Sequence, residues 1–467
     1  MKQLAVVLMG IVLAGCCTVA NESRPRVAVF GGSFSVIEPS KVAKAEWCRR
    51  AGIEYDDYGV SAAGFIARGL GGTNSIPEQI DRALASGKDY EAFVLWASTN
   101  DIWGEDKIKK QNSVIAECVE KLRKSRPQSK ILFMTSMPIP LKGETRLMDY
   151  AAGQASTCRW LNVPVLEQHR LVVFPTEGTE SYFWGDKLHP NEKGYAYVAR
   201  LQANFLLQNL NPRKWMGYER GLVFAHRGGR SEFEENTMDA FRDSYAAGSR
   251  GFETDIRRTQ DGEYVILHDD QMDRMYNGSG SVETNTFETI KAITTKLSGQ
   301  TFCTLNDLLA FLSDKPGTYC EFEMKTGNRN LYPDAAIPAY CDGLYEKVMK
   351  AKPEGSCYAF TSFDERPLRY LRAKDPDCEL MLITGGSLDD KFLDKATDVG
   401  VNRVAARKDV TTRNQVREAH NRGFVVTLWP GNSVADYLLA VGLEADAICS
   451  DHPVLVNGWK NAHMNDR

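Results

Sequence analysis

The chain has 467 residues, a net charge of −4, and 43% hydrophobic and 25% charged residues. That length exceeds one ordinary hydrophobic core, so two domains are expected, and the composition argues against long disorder. The charge balance gives no electrostatic ground for a nucleic-acid partner.

Residues 1–15, MKQLAVVLMGIVLAG, read as a signal peptide: a lysine precedes an apolar run too short for a finished spanning helix. The segment closes on Leu13, Ala14, Gly15 and Cys16, which resembles the lipobox of bacterial lipoproteins. The resemblance implies a lipid on Cys16, a tether over 16–24, and a place in the cell envelope, periplasmic or on the outer surface, with the membrane as partner through that lipid. No later segment reads as a transmembrane helix. Of the 11 cysteines none forms a CxxC pair with zinc-like spacing, and Cys320, Cys357 and Cys449 fall in apolar runs that predict small buried hydrophobes.

Across 25–208 the runs RVAVF, EAFVLWAS and KILFMTS alternate with helical stretches at 106–126 and 192–207. This is an α/β pattern with a mainly parallel sheet. Asparagines, Pro212 and glycines break the periodicity over 209–219 and predict a linker. Across 220–460 strands are predicted at GLVFAH, GFETDI, YVILHD, TYCEFEMK, SCYAFTSF, CELMLIT, NRVAARK, FVVTLW and ADAICSD. Most are a helix length apart, the spacing of an eight-stranded (β/α) TIM barrel, with the turn QDGEY joining two neighbouring strands.

The first strand runs into Gly31, Gly32 and Ser33, which puts Ser33 at the carboxyl edge of the sheet with helix amides free beside it. Alone, such residues are ordinary cap residues. Their company is Asn100 and Asp101 in WASTND, and Asp186 and His189 in GDKLHPN. This set resembles the SGNH, or GDSL-like, hydrolases over residues 25–208, which implies a three-layer α/β/α domain. By that resemblance Ser33 is the nucleophile, His189 the general base and Asp186 the residue that orients its ring. Asn100 would donate to the oxyanion beside the Ser33 N–H and an amide of GVSAAGF, from either Ala62 or Gly64. Asp186 three residues before His189 lets one loop carry both parts of a base. The family's GDS stands here as Gly31, Gly32, Ser33, and Ser98 replaces the glycine usual before ND.

Phosphodiester cleavage needs charge neutralisation, a proton acceptor on the attacking side and a proton donor for the leaving alkoxide. The segments HRGGRSEFEENT, GFETDIRRTQDGEYVILHDD and YCEFEMK offer each. Together with ADAICSDHP they resemble the glycerophosphodiester phosphodiesterase family over about 220–458. The resemblance implies His226 and His268 as the acid/base pair and Arg227 as a phosphate ligand. Glu253 and Asp255 alternate on one strand, so both point to one face; with Glu323 they would hold calcium or magnesium. Lys325, two residues after Glu323, would contact phosphate or hold the carboxylates. Glu235 and Asn236 match the family's ENT, with Asn236 on the substrate side, and Trp429 matches an aromatic near the substrate's alcohol group, core packing being its alternative. Glu234 stands where a proline is common, and Pro430 and Gly431 depart from the usual WTVN. Asp269, Asp270, Asp273 and Arg274 read as supporting or loop residues.

The expected function is an exported bifunctional hydrolase: a metal-dependent phosphodiesterase releasing glycerol 3-phosphate and an alcohol, with a serine esterase or acylhydrolase ahead of it. The attacking group is water or a neighbouring substrate hydroxyl. An alternative places both activities on acylated, phosphoglycerol-decorated glycans, with Trp160 and Trp184 as contacts and Trp96 in the core. A third reading is a surface binding lipoprotein with a degenerate first domain.

Overall fold

The computed structural model describes residues 24–464 except 73, 103–104, 141–143 and 175–177. The signal segment and Cys16 lie outside the described residues. In the first domain five strands, β1 (Arg26–Gly31), β2 (Glu54–Asp57), β3 (Ala92–Trp96), β4 (Lys130–Met134) and β5 (Val165–Leu166), form a parallel sheet in the order β2-β1-β3-β4-β5. The central three are the apolar runs; buried on both faces, they carry near-continuous hydrophobic sequence. The two edge strands escape the apolar-run signal, because EYDD is polar and exposed to partly exposed and β5 is only 2 residues long. Separate apolar clusters cover the two sheet faces, with Trp47, Trp96 and Tyr195 on one and Phe30, Phe93 and Phe133 on the other. Trp96 is fully buried.

The second domain holds nine strands: β6 (Leu222–Ala225), β7 (Gly251–Arg258), β8 (Tyr264–Ile266), β9 (Tyr319–Met324), β10 (Cys357–Ser362), β11 (Leu380–Ile383), β12 (Arg403–Arg407), β13 (Val425–Gly431) and β14 (Ala447–Ser450). Eight are parallel and close into a barrel through pairing of β6 with both β14 and β7. The ninth, β8, turns back antiparallel onto the end of β7, as the QDGEY turn predicts.

The predicted linker is not a free tether. It contains a short helix, Pro212–Met216, capped by the Asn211 side chain, and its Trp215, Met216 and Tyr218 are buried. Tyr218 packs edge-on to Phe224 and Tyr319, and Arg403 donates to the Met216 carbonyl at 2.6 Å. Gly217 sits at φ +82, and a Cβ there would lie 2.5 Å from Cys357 Sγ, so both backbone and space require glycine. Tyr319, Cys357 and Arg403 each begin a barrel strand. The wedge therefore stoppers the amino-terminal end of the barrel, and the carboxyl end faces away from it. Bidentate pairs from Arg49 to Asp377 and from Arg170 to Glu418 tie the domains at the periphery. Trp215→Ala is expected to cost about 3–5 kcal/mol, read as a lowered urea midpoint; an unchanged midpoint would mean that the wedge carries no stability.

Candidate active sites

Ser33 opens a four-residue helix directly after β1. Its Oγ lies 2.9 Å from His189 Nε2, and His189 Nδ1 lies 2.7 Å from Asp186 Oδ2. The other Asp186 oxygen accepts from the backbone N–H groups of Leu188 and His189, so the loop fixes its own orienting carboxylate. Burial opposes ionisation of Asp186, but the His189 ring and the two amides outweigh it and hold the carboxyl below its ordinary range. Phe34 meets the imidazole edge-on. This arrangement lets His189 take the Ser33 proton while Asp186 steadies the resulting charge.

The amides divide clearly. Gly64 N–H donates to Ala67 O and Ala63 N–H to Val60 O, while Ala62, at φ +63, has no acceptor for its N–H among the described residues. Of the two alternatives, Gly64 has its N–H engaged within the loop and Ala62 does not. Asn100 Nδ2 donates to Ala63 O at 2.8 Å and Ser98 Oγ at 3.1 Å. A Cβ on Gly32 would lie 2.9 Å from that amide and 2.4 Å from Ala63 O, so a side chain at Gly32 would collide with the proposed oxyanion pocket. Asp101 has a structural task, accepting from the amides of Phe65, Ile66 and Ala67 and so holding the loop that carries Ala62.

The second site lies at the carboxyl end of the barrel, around a cavity of about 210 Å³ whose walls include His226, Arg227, Glu253, His268, Glu323 and Trp429. His226 follows β6, and its Nδ1 is hydrogen-bonded to Asp451, just past β14. Nε2 is thereby turned toward Glu253, 3.8 Å from its carboxylate. His268 follows β8 and bonds Asp269 through Nδ1 at 2.7 Å. Burial lowers the proton affinity of His268, against the pull of Asp255. Burial raises the Asp269 carboxyl, but Arg274 and the His268 ring overcome this and bring it to about 2. Buried Arg257 donates to the carbonyls of Leu267 and His268, fixing the strand end that presents the ring.

Glu253 and Asp255 on β7 and Glu323 on β9 bring carboxylate oxygens within 4.8 Å of one another. Burial and the charges of Asp255 and Glu323 push the Glu253 carboxyl well up; Asp255 is itself opposed by burial but lowered by Lys325 and Arg227. Glu253 Oε1 and Asp255 Oδ1 are buried without hydrogen-bond partners. A divalent cation fits this donor set, because it would engage the orphaned oxygens and balance a group in which three carboxylates are set against the two fixed cations Arg227 and Lys325.

The side chains around the cage pair as follows. Lys325 Nζ holds Glu323 at 2.8 Å and approaches Asp255 at 3.5 Å. Asn236 donates to Asp255 at 2.9 Å from a φ of +58. Arg227 lines the cavity, but its guanidinium donates to Glu235 at 3.2 Å and lies against Asp255. Trp429 is partly exposed in the wall, edge-on to Phe363. Asp451, Arg257 and Glu321 lie outside the residues that the sequence motifs assign to the site. Glu321, inward-facing two residues before Glu323, is a cavity-floor carboxyl that burial raises to about 8. A carboxylate directly after the last strand was a usable signal for Asp451; nothing in the local sequence marks Arg257.

A serine–histidine–aspartate line on a parallel sheet, joined to paired imidazoles over a carboxylate cage in a barrel mouth, defines a tandem protein of hydrolase type. Residues 226–455 match the glycerophosphoryl diester phosphodiesterase family and residues 30–197 the GDSL-like lipase/acylhydrolase family. The chain thus fuses a GDSL-like domain to a glycerophosphodiester phosphodiesterase-like barrel. A glycerophosphodiester phosphodiesterase of Caldanaerobacter subterraneus is 33% identical over 174 residues, covering 35% of this chain and 66% of that protein. Rat glycerophosphodiester phosphodiesterase 1 is 40% identical over 87 residues, 19% of this chain and 25% of the relative. This chain therefore spans less than two thirds of the length of either relative. The solved phosphodiesterase of Oleispira antarctica, bound to sn-glycerol-3-phosphate, aligns at 20% identity with a TM-score of 0.47 over 51% of this chain and 96% of its own.

Proposed function

We propose that the barrel hydrolyses glycerophosphodiesters to glycerol 3-phosphate and an alcohol, and that the first domain is a serine esterase or acylhydrolase. The observation that carries the barrel reading is the pairing of two carboxylate-oriented imidazoles with a carboxylate cage in one cavity. In this reading His226 and His268 exchange the two protons of the reaction, one drawing the proton from the attacking hydroxyl and the other protonating the leaving alkoxide. Glu253, Asp255 and Glu323 would hold calcium or magnesium, which supplies positive charge to the phosphate when bound. Arg227 contributes a fixed guanidinium beside the same oxygens, while Lys325 and Asn236 keep the carboxylates in place. The test is release of glycerol 3-phosphate from glycerophosphodiesters by the purified protein, with and without chelator. No release from any head group sinks the assignment.

In the first domain, Ser33 would attack an ester carbonyl, His189 would accept its proton and return it to the leaving alcohol, and the amides of Ser33, Ala62 and Asn100 would receive the oxyanion. Asn100 must exchange one of its two present bonds to do so. The assembled triad favours catalysis over a purely binding role. Trp184, 43% exposed and 5.9 Å from the His189 ring, gives some support to the glycan reading, since an exposed indole beside the base is a stacking platform for a sugar.

The two sites lie on opposite sides of the wedge. His189 sits just ahead of the helix Glu192–Leu210, about 28 Å long at 1.5 Å per residue, whose far end leads into the barrel wedge. The barrel site opens on the side opposite that wedge. A product of one site therefore reaches the other through solution. Lipid attachment at Cys16 and a place in the cell envelope complete the proposal, supported by the lysine, apolar run and small residues before that cysteine. Cys16→Ser is expected to move the protein from the membrane to the soluble fraction; retention on the membrane would count against the anchor.

A further inference from the structure

Glu253 belongs to two potential ligand sets. One is the all-oxygen cage with Asp255 and Glu323; the other joins His226, Glu253 and Cys449, whose ligand atoms also lie within 4.8 Å of one another. The two sets differ in chemistry. Carboxylates alone suit calcium or magnesium, whereas imidazole, carboxylate and thiolate together suit a softer ion such as zinc. Cys449 is the last residue but one of β14, buried in the barrel wall and lining the cavity. His226 is already prepared as a ligand, because Asp451 engages Nδ1 and leaves Nε2 directed at Glu253. A carboxylate on the far ring nitrogen is the arrangement that orients metal-binding imidazoles. Tetrahedral zinc sets its ligand atoms about 3.5 Å apart. His226 Nε2 and Glu253 Oε2 are 3.8 Å apart, so the pair needs only a small adjustment, and the thiol lies within 4.8 Å of both ligand groups.

We propose that the barrel site contains a second, soft-metal site formed by His226, Glu253 and Cys449, and that zinc bound there switches the phosphodiesterase off. The thiol proton passes to solvent as the Sγ–zinc bond forms, and no redox change is involved. Zinc at this site occupies the Nε2 lone pair of His226, so that imidazole can neither accept nor deliver a proton to the reaction. It also draws on Glu253, shared with the oxygen cage. Zinc inhibition rests on the phosphodiesterase reading; zinc binding does not.

Cobalt provides the independent readout. Titrating Co2+ into the purified full chain, with magnesium saturating, is expected to raise the near-ultraviolet band of a thiolate–cobalt bond, and the band should vanish in Cys449→Ala and Cys449→Thr. In the phosphodiesterase assay, again with magnesium saturating, zinc should inhibit wild type, and each Cys449 variant, compared with its own zinc-free rate, should need at least about tenfold more zinc. Absence of the cobalt band in wild type overturns the site whatever becomes of the enzyme assay. A band that survives both substitutions does the same by placing the thiolate elsewhere. Zinc inhibition equal in wild type and variants, and relieved by excess magnesium, would mean that zinc merely competes for the oxygen cage and would overturn the switch. A band with no hydrolysis in any protein would retain the metal site and count against the phosphodiesterase assignment alone.

Discussion

His226→Ala is expected to lower glycerol 3-phosphate release by about 10²–10⁴-fold, the range associated with one positioned acid or base. The effect should fall on kcat more than on KM, because the imidazole acts on a proton in flight, while the cavity and carboxylate cage remain. Asp451→Asn should reduce the rate by a smaller factor, since it keeps a side chain of similar size beside Nδ1 but gives up the charge that steadies the imidazolium. Chelation should abolish turnover in wild type, and calcium or magnesium should restore it, because Glu253, Asp255 and Glu323 otherwise leave the site with more negative than positive charge. Glycerol 3-phosphate measured against time for wild type, both variants and the chelated protein checks all three. A His226→Ala rate within twofold of wild type would remove this histidine from the acid/base pair.

Ser33→Ala is expected to abolish ester hydrolysis, with a loss of at least about 10³-fold on an activated acetyl or butyryl ester. Its phosphodiesterase rate should match wild type, because the two sites share no side chain and the barrel opens away from the wedge. Asn100→Ala should cost about 10²-fold if its amide turns from Ser98 to the oxyanion. Inhibition by a serine-reactive phosphonate, followed by mass analysis of the labelled peptide, locates the nucleophile independently. Equal ester turnover in wild type and Ser33→Ala would assign the hydrolysis to another group and return the first domain to a binding role.

Much of this architecture is written in short stretches of sequence. Apolar runs mark the three central strands of the first sheet and the nine of the second domain, because strands buried on both faces need continuous hydrophobic residues. The loop from Asp186 to His189 specifies its own geometry through bonds spanning three residues or fewer. The same-face placement of Glu253 and Asp255 follows from the period of a strand. The edge strands were less legible, since a strand with one solvated side need not be apolar.

What tertiary structure decided are the partners reached by closing the sheet and packing the domains. Asp451 meets His226 across 225 positions because β14 is the neighbour of β6 in the closed barrel. Lys325 and Asn236 meet carboxylates because the buried negative charge of the cage draws the nearest cation and amide. Ala62 and Gly64 differ only through the fold of their loop, which engages the Gly64 amide internally and leaves that of Ala62 unengaged among the described residues. The segment 209–219 became a stopper because Trp215, Met216 and Tyr218 find apolar strand ends only once the barrel exists. Local sequence determines strand faces, turns and the residues within them, whose interactions span a few covalent bonds. Chain closure determines which faces meet, and with them the charge balance of the cage, the orientation of His226 and the directions in which the two sites open.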